Sequence, residues 1–511
     1  MLRLLFRRIL PGILFVAVFA AGARAEDPAV TPSTALESYL HNGDLTYGWE
    51  VRETVRDGNA TVYHLLLTSQ KWQDITWTHQ LSVIVPDRIT HPGALLMITG
   101  GSVKDGQPNW NGGIQEGLLA PMGKIAQDNR AVTAVLRQVP NQPLYDSLKE
   151  DALISYTLHR FQQDGDYTWP LLFPMTKSAV RAMDAVTEFC AERLQRKVEG
   201  FVVAGASKRG WTTWLAAAQD SRVAAAAPMV IDILNMPKSI RYQLEAYGAY
   251  SEQIKDYSDL GILQSISSEK GRAIVEMIDP YSYRRKLSQP KLLLMGTNDE
   301  FWVADNVKNY IDSIPGINRL HYIPNAGHNL GGGAEAMLTL DAFFASLLSD
   351  NLFPTCAWQA KTGGKNLKIA LEMSRENLVG AELWSAVSPT RDFRKAEWNS
   401  APLPEPESEK YTVDVPLPET GFKACYVDLI YRTDDGRQYK ISTRIFMTDP
   451  GKLLQFIRIT FDRPVFPPGA PLPRIQRITR PDETADEGKI SFQDGYFGSG
   501  PVDKNAGYPF F

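Results

Sequence analysis

The stretch Val202-Val203-Ala204-Gly205-Ala206-Ser207-Lys208-Arg209-Gly210-Trp211-Thr212-Thr213-Trp214-Leu215-Ala216 decides the fold. It reads as a short buried strand, a tight turn with Ser207 at its tip, and a helix running away from that turn. This is the shape of a nucleophile elbow, in which small residues let the backbone pass closely and a serine hydroxyl is lifted above a sheet. A serine in that position sits at a helix N-terminus, where free N–H groups and the helix dipole stabilise a developing oxyanion. The pattern departs from G-x-S-x-G at one point: Arg209 stands at +2, and the second glycine, Gly210, comes at +3. Alone, such a short pattern also fits an ordinary strand–turn–helix with a capping serine.

Two later stretches decide between these readings. Lys291-Leu292-Leu293-Leu294-Met295-Gly296-Thr297-Asn298-Asp299-Glu300 is a buried-strand run ending in glycine and acidic residues. His321-Tyr322-Ile323-Pro324-Asn325-Ala326-Gly327-His328-Asn329 is a strand that ends in a Gly-His loop before an apolar helix. Nucleophile, acid and histidine follow in that order along an α/β-hydrolase chain. Open α/β sheets gather ligands beyond the C-terminal ends of their strands, where Asp299 and His328 both fall. The candidate catalytic residues are therefore Ser207, Asp299 and His328. Asn298 and Glu300 are the alternatives to Asp299, but neither has its place relative to Gly296.

Outward from these stretches, 511 residues are too many for one compact core, so two or three domains are expected. A net charge of −4 gives no sign of a nucleic-acid partner. Residues 1–25 read as a secretory signal peptide: Arg3, Arg7 and Arg8 precede an apolar run over 9–23, and Ala23-Arg24-Ala25 fits cleavage before Glu26. An uncleaved anchor is the rival reading, opposed by the shortness of the run and by Pro11-Gly12 within it. A periplasmic or secreted protein with no stable membrane span after cleavage is expected. In an oxidising compartment one disulfide is expected, Cys356–Cys425, while Cys190 falls on the apolar face of a helix with Ala179, Val180, Met183 and Val186. No cysteine has zinc-ligand spacing, and neither a metal nor any other cofactor is implied.

Thr61 to Thr68 and His79 to Pro86 alternate as an antiparallel entry to a sheet. Ala94-Leu95-Leu96-Met97-Ile98-Thr99 is a continuous apolar strand opening into Gly100-Gly101-Ser102. In a hydrolase that loop supplies one oxyanion N–H, here from Gly101 or Ser102, and the residue after the nucleophile, Lys208, supplies the other. Further strands are expected at 131–136 and 223–230, with helices over 150–161 and 176–196. This alternation predicts a mostly parallel sheet with helices on both faces. Residues 231–290, rich in aromatic and charged residues, read as a helical cap inserted over the site, with a plain surface insertion as the alternative.

The runs Trp169-Pro170-Leu171-Leu172-Phe173-Pro174-Met175-Thr176-Lys177, Gly205-Ala206-Ser207-Lys208-Arg209-Gly210-Trp211 and Gly296-Thr297-Asn298-Asp299-Glu300-Phe301 resemble the PhoPQ-activated pathogenicity-related protein family. That family also takes in the eukaryotic autocrine proliferation repressors. The resemblance runs from about residue 35 to 455. It implies an exported α/β-hydrolase-like protein with an immunoglobulin-like C-terminal domain, induced in bacteria during envelope stress or infection, and it supplies no substrate. The six-residue elbow also resembles that of glucuronoyl esterases, where a basic residue after the serine helps hold the oxyanion.

Lys208 and Arg209 invite two readings. Either a cation strengthens the oxyanion hole or binds an acidic substrate group, or both point outward. A cation at a helix N-terminus costs about 0.3–1 kcal/mol, so a compensating partner is required. From Cys356 to about Asp449, short alternating strands at regular spacing read as a β-sandwich, giving domains at 26–354 and 355–455. The sandwich would pack on the hydrolase domain or bind a surface. Residues 456–511 are proline- and glycine-rich without periodicity and are expected to be largely disordered. The reading as a whole is an exported serine hydrolase, esterase before peptidase, acting on a small-molecule, peptide or carbohydrate-ester substrate. The rival is a non-catalytic secreted binding or signalling protein on a hydrolase scaffold.

Overall fold

A computed structural model describes residues 29–110, 117–349 and 353–448. The signal-peptide and tail expectations, at 1–25 and 456–511, lie outside the described residues. The chain enters through α1 (Ala35–Leu40) and an antiparallel meander of β1 (Gly48–Asp57), β2 (Ala60–Trp72) and β3 (Ile75–Pro86). Then come β4 (Gly93–Ile98), a small hairpin of β5 (Val103–Lys104) and β6 (Gln107–Pro108), and α2 (Leu119–Asn129). Next are β7 (Val132–Leu136), α3 (Glu150–Asp164), α4 (Leu172–Leu194), β8 (Gly200–Ala206), α5 (Lys208–Gln219) and β9 (Val223–Met229).

Helices α6 (Met236–Tyr247), α7 (Lys255–Asp259) and α8 (Glu269–Ile278) fill the interval before β10 (Lys291–Gly296). After it come β11 (Asn318–Ile323) and α9 (Ala334–Leu348). Every residue of β4, β7, β8 and β10 is buried. That is possible only for strands covered on both faces, and it is why they read as unbroken apolar runs instead of alternating ones. α4 packs on α1 and α5, and α2 packs on α9. None of these helices, among the described residues, is long and apolar enough to cross a membrane.

The C-terminal part contributes β12 (Cys356–Gly363), β13 (Asn366–Met373), β14 (Leu378–Ser388), β15 (Asn399–Pro402), β16 (Lys410–Pro416), β17 (Phe422–Arg432), β18 (Gln438–Ser442) and β19 (Phe446–Thr448). These divide between two sheets. β12, β13 and β16 form a separate three-stranded sheet, whereas β18, β17, β14 and β15 extend the large sheet beyond β11. The join is a single antiparallel pairing of Leu320 with Ser442, reinforced by the Tyr322 N–H donating to the Ser442 hydroxyl at 3.0 Å.

The large sheet thus runs β1-β2-β3-β7-β4-β8-β9-β10-β11-β18-β17-β14-β15, with β19 on β17. Only the stretch from β7 to β11 is parallel. The sheet is therefore mixed and not mostly parallel, because antiparallel strands have added at both ends of that core. One hydrophobic cluster runs from Ala35 to Phe446, so core as well as sheet continues past residue 355.

The expected Cys356–Cys425 disulfide does not form. Both thiols are free and buried, Cys356 opposite Met373 in the three-stranded sheet and Cys425 between Ser385 and Phe446 in the large one. Cys190 is likewise a free buried thiol on α4.

Candidate active site

β8 lies between β4 and β9, with Gly205 opposite both Ile98 and Pro228. Two residues further on, the Ser207 N–H donates to the Met229 carbonyl at 2.8 Å, and the chain turns directly into α5. Ser207 itself has φ 56° and ψ −124°, a conformation that L-residues avoid and that lifts its side chain off the sheet. The displaced glycine has a steric explanation. A Cβ on Gly205 would meet the Arg209 backbone carbonyl oxygen at 2.7 Å, and one on Gly210 would meet the Ile231 side chain at 2.8 Å and the Met229 oxygen at 2.9 Å. The residue pressed against β9 is thus the one at +3, and the one at +2 is free to carry a long side chain.

The ends of β10 and β11 bring up the other two candidates. His328 Nε2 lies 2.8 Å from Ser207 Oγ, and His328 Nδ1 lies 2.9 and 2.8 Å from the two Asp299 oxygens. Asp299 accepts only, so Nδ1 carries the proton and Nε2 is left to accept from the serine hydroxyl. The Phe301 N–H donates to Asp299 Oδ1 at 2.9 Å, and the Phe301 ring stacks on the imidazole with centroids 4.0 Å apart. Ser207 and Asp299 are buried, and His328 is nearly so.

The alternatives to Asp299 have other partners. The Glu300 carboxylate accepts the His328 backbone N–H at 2.9 Å, and the Asn298 amide turns toward residues 393–396. Three consecutive carbonyls after Asp299 are gripped from residues 231–290. Ser251 Oγ donates to Glu300, Gln243 Nε2 to Phe301 and the Tyr247 hydroxyl to Trp302, each at 2.7 Å. None of these grips was readable in sequence, since their partners lie about 50 residues apart.

The register of β4 against β8 sets residues 100–102 beside the Ser207 turn. Gly101 has φ 139°, which favours glycine, and its carbonyl accepts from Gln142 Nε2 at 3.2 Å. Ser102 Oγ accepts from Asn109 Nδ2 at 2.6 Å. Opposite, the Lys208 N–H opens α5, where no acceptor exists within the helix.

The Lys208 and Arg209 side chains do not point outward. Arg209 is 1% exposed; its Nη1 and Nη2 each donate to Glu150 at 2.7 Å and its Nε donates to the Val139 carbonyl. Lys208 Nζ donates to Asp151 at 2.7 Å with Glu150 at 3.5 Å, and Asp151 also accepts from the Tyr257 hydroxyl at 2.9 Å. This supplies the compensation that two cations at a helix start require. Glu150 closes the circuit. Its N–H donates to Gln142 Oε1 at 2.8 Å and its carboxylate accepts from Gln142 Nε2. Burial raises its pKa, but the Arg209 guanidinium, with Lys208 and Gln142, outweighs burial and holds it at about 2. The Arg209 guanidinium in turn fills the space a Cβ on Gly100 would need, with Nη2 2.5 Å from that position.

The profile of the PhoPQ-activated pathogenicity-related protein family matches residues 36–394, ending before the 455 reached by the sequence resemblance. Autocrine proliferation repressor protein A of Dictyostelium discoideum is 29% identical over 433 residues, which cover 78% of this chain and 86% of that protein. Among solved structures, an acetyl xylan esterase from a Paenibacillus species matches with a TM-score of 0.41 and 13% identity, over 60% of this chain and 92% of its own. Acetyl xylan esterase 1 from a Thermoanaerobacterium species matches with a TM-score of 0.42 and 13% identity, over 58% of this chain and 89% of its own.

Proposed function

Because the chain belongs to the PhoPQ-activated pathogenicity-related protein family and joins a serine, a histidine and an aspartate in one hydrogen-bonded line, we propose that this member is an exported serine hydrolase. The observation that carries the reading is the Ser207–His328–Asp299 line at the end of an elbow with a strained serine. Ser207 Oγ attacks a carbonyl carbon while His328 Nε2 takes its proton, and Asp299 holds the imidazole in the required tautomer and stabilises the imidazolium. The tetrahedral oxyanion is received by the N–H of Lys208 and by that of Gly101 or Ser102. His328 then returns the proton to the leaving group, and a water repeats the cycle on the acyl-enzyme.

Lys208 and Arg209 act here as braces for the oxyanion loop, their charges being spent on Glu150 and Asp151. A carboxylic ester, including a carbohydrate ester, is the proposed substrate class, ahead of a peptide. Residues 231–290 cap the site, and the C-terminal part is read as an immunoglobulin-like sandwich that binds a surface; the alternating burial of β13 and β16 supports one packed face on that sheet. Export to the periplasm or beyond, with a link to envelope stress or virulence, completes the proposal.

Hydrolysis of short-chain aryl esters by the purified protein and by Ser207→Ala tests it. Turnover lost in the variant supports the reading, and equal rates in both refute it. The name of the Dictyostelium relative, a proliferation repressor, favours a second reading, that of a non-catalytic binding or signalling protein. A folded wild type that hydrolyses no ester or peptide would select it.

A further inference from the structure

We propose that Asn298 and Asn325 are positioning residues that clamp the acid and histidine loops onto residues 393–398, making the C-terminal part of the chain a working piece of the active site. The inference rests on the serine-hydrolase reading. Asn298 immediately precedes Asp299, and its Nδ2 donates to the Ala396 carbonyl at 2.7 Å, with those of Phe393 and Arg394 at 3.3 Å. Asn325 lies three residues before His328. It forms a reciprocal pair with one backbone unit, Nδ2 donating to the Trp398 carbonyl at 2.9 Å and Oδ1 accepting the Trp398 N–H at 2.8 Å. Thr297 ties the two together: its hydroxyl donates to Asn298 Oδ1 at 2.7 Å and accepts the Asn325 N–H at 2.8 Å.

The clamped segment is itself immobilised. Phe393 and Trp398 are buried, and Trp398 packs on Phe393 and Tyr426 with centroids 6.1 and 5.5 Å away. From the same segment the Arg394 guanidinium lies 4.0 Å over the ring of Tyr247, whose hydroxyl grips Trp302. The loop bearing Asp299 is therefore held from two sides, by residues 231–290 and by residues 393–398. Asparagine suits position 325 on a further count, since its φ of 56° is one that asparagine tolerates better than other side chains.

Catalytic geometry is sensitive to displacements of about 1 Å, which cost on the order of 100-fold in rate. Asn298→Ala and Thr297→Val are expected to lower kcat by about 10- to 100-fold with KM little changed. The acidic limb of the pH profile should move to lower pH, because a poorly aligned Asp299 stabilises the imidazolium less. Thr297→Ser, which keeps both hydroxyl bonds, should stay within a few-fold of wild type. Far-UV circular dichroism checks that each variant is folded. Hydrogen exchange read by mass spectrometry supplies a measure independent of turnover, with faster exchange expected in the peptides holding 299–302 and 326–330. Wild-type kcat and pH profile in both Asn298→Ala and Thr297→Val, or unchanged exchange in both loops, overturns the clamp. A wild type without turnover overturns the hydrolase reading, and the exchange result alone then decides the clamp.

Discussion

Replacing Glu150 by alanine leaves the Arg209 guanidinium buried with only the Val139 carbonyl opposite it. Breaking a buried ion pair from one side costs about 3–5 kcal/mol, because the remaining charge is neither paired nor hydrated. Glu150 is 37% exposed, so solvent screens part of the attraction and water reaches the gap the substitution opens. That brings the expected loss to about 2–3 kcal/mol at neutral pH. The pH dependence has a definite sign. Glu150 is held at about 2, below its ordinary 4.5, so its contribution is complete above about pH 4.5 and fades as pH falls toward 2. Urea unfolding followed by tryptophan fluorescence should therefore separate variant from wild type widely at pH 7 and less at pH 3. Removing both charges, in Glu150→Ala with Arg209→Met, should recover about 1 kcal/mol or more of the loss, since no buried charge is then stranded. On an aryl ester kcat should fall as well, because Gln142 Nε2, which donates to the Gly101 carbonyl, loses its carboxylate partner and the Gln142 side chain is left held only through the residue-150 N–H on Oε1. A cost under about 0.5 kcal/mol at pH 7, or a double variant as damaged as the sum of the singles, would refute the argument.

Asp299→Asn should lower kcat by roughly 10,000-fold with the fold intact, since an amide at that place favours the wrong imidazole tautomer; steady-state kinetics on an aryl ester reads it. All three cysteines should be unreactive to a thiol reagent in the native protein and all three titratable after denaturation, with a melting temperature indifferent to reductant. Burial pushes each of these thiols up to about 12, so no thiolate is present at neutral pH. Burial also pushes Asp428, beside the β11–β18 join, up to about 7 against an ordinary 3.8. The folded state then binds a proton that the unfolded chain has lost. Stability through this group should decline as pH climbs from about 4 to 7, by at most about 4 kcal/mol, and Asp428→Asn should flatten that slope in thermal unfolding across pH.

The strands nearest the site were legible because they are buried on both faces: 94–99, 131–136, 202–206, 223–230 and 291–296 are apolar runs with no alternation, and each falls on a strand of the structure. Helix α4 starts at Leu172, four residues before the expected Thr176, with Pro174 in its first turn, where a missing N–H goes unnoticed. The extension of the large sheet was not legible, because one pairing of Leu320 with Ser442 leaves no signature in either strand. The cysteine pairing failed for a related reason, as a shared region of sequence says nothing about which sheet a strand joins. The structure joins Ser207, Asp299 and His328 in one hydrogen-bonded line, and they could be named as candidates from the elbow pattern, their order along the chain and their places past strand ends. Their supports could not: Arg209 finds Glu150 across 59 residues and Asn298 finds Ala396 across 98, distances that only the folded chain closes.

The most direct test of the central claim is labelling of the purified protein by a fluorophosphonate, followed by mass-spectrometric assignment of the modified peptide. An activated serine predicts stoichiometric labelling at Ser207 that is lost in Ser207→Ala and slowed severely in His328→Ala. Folded wild-type protein that stays unlabelled, or that is labelled equally in all three forms, would contradict the account.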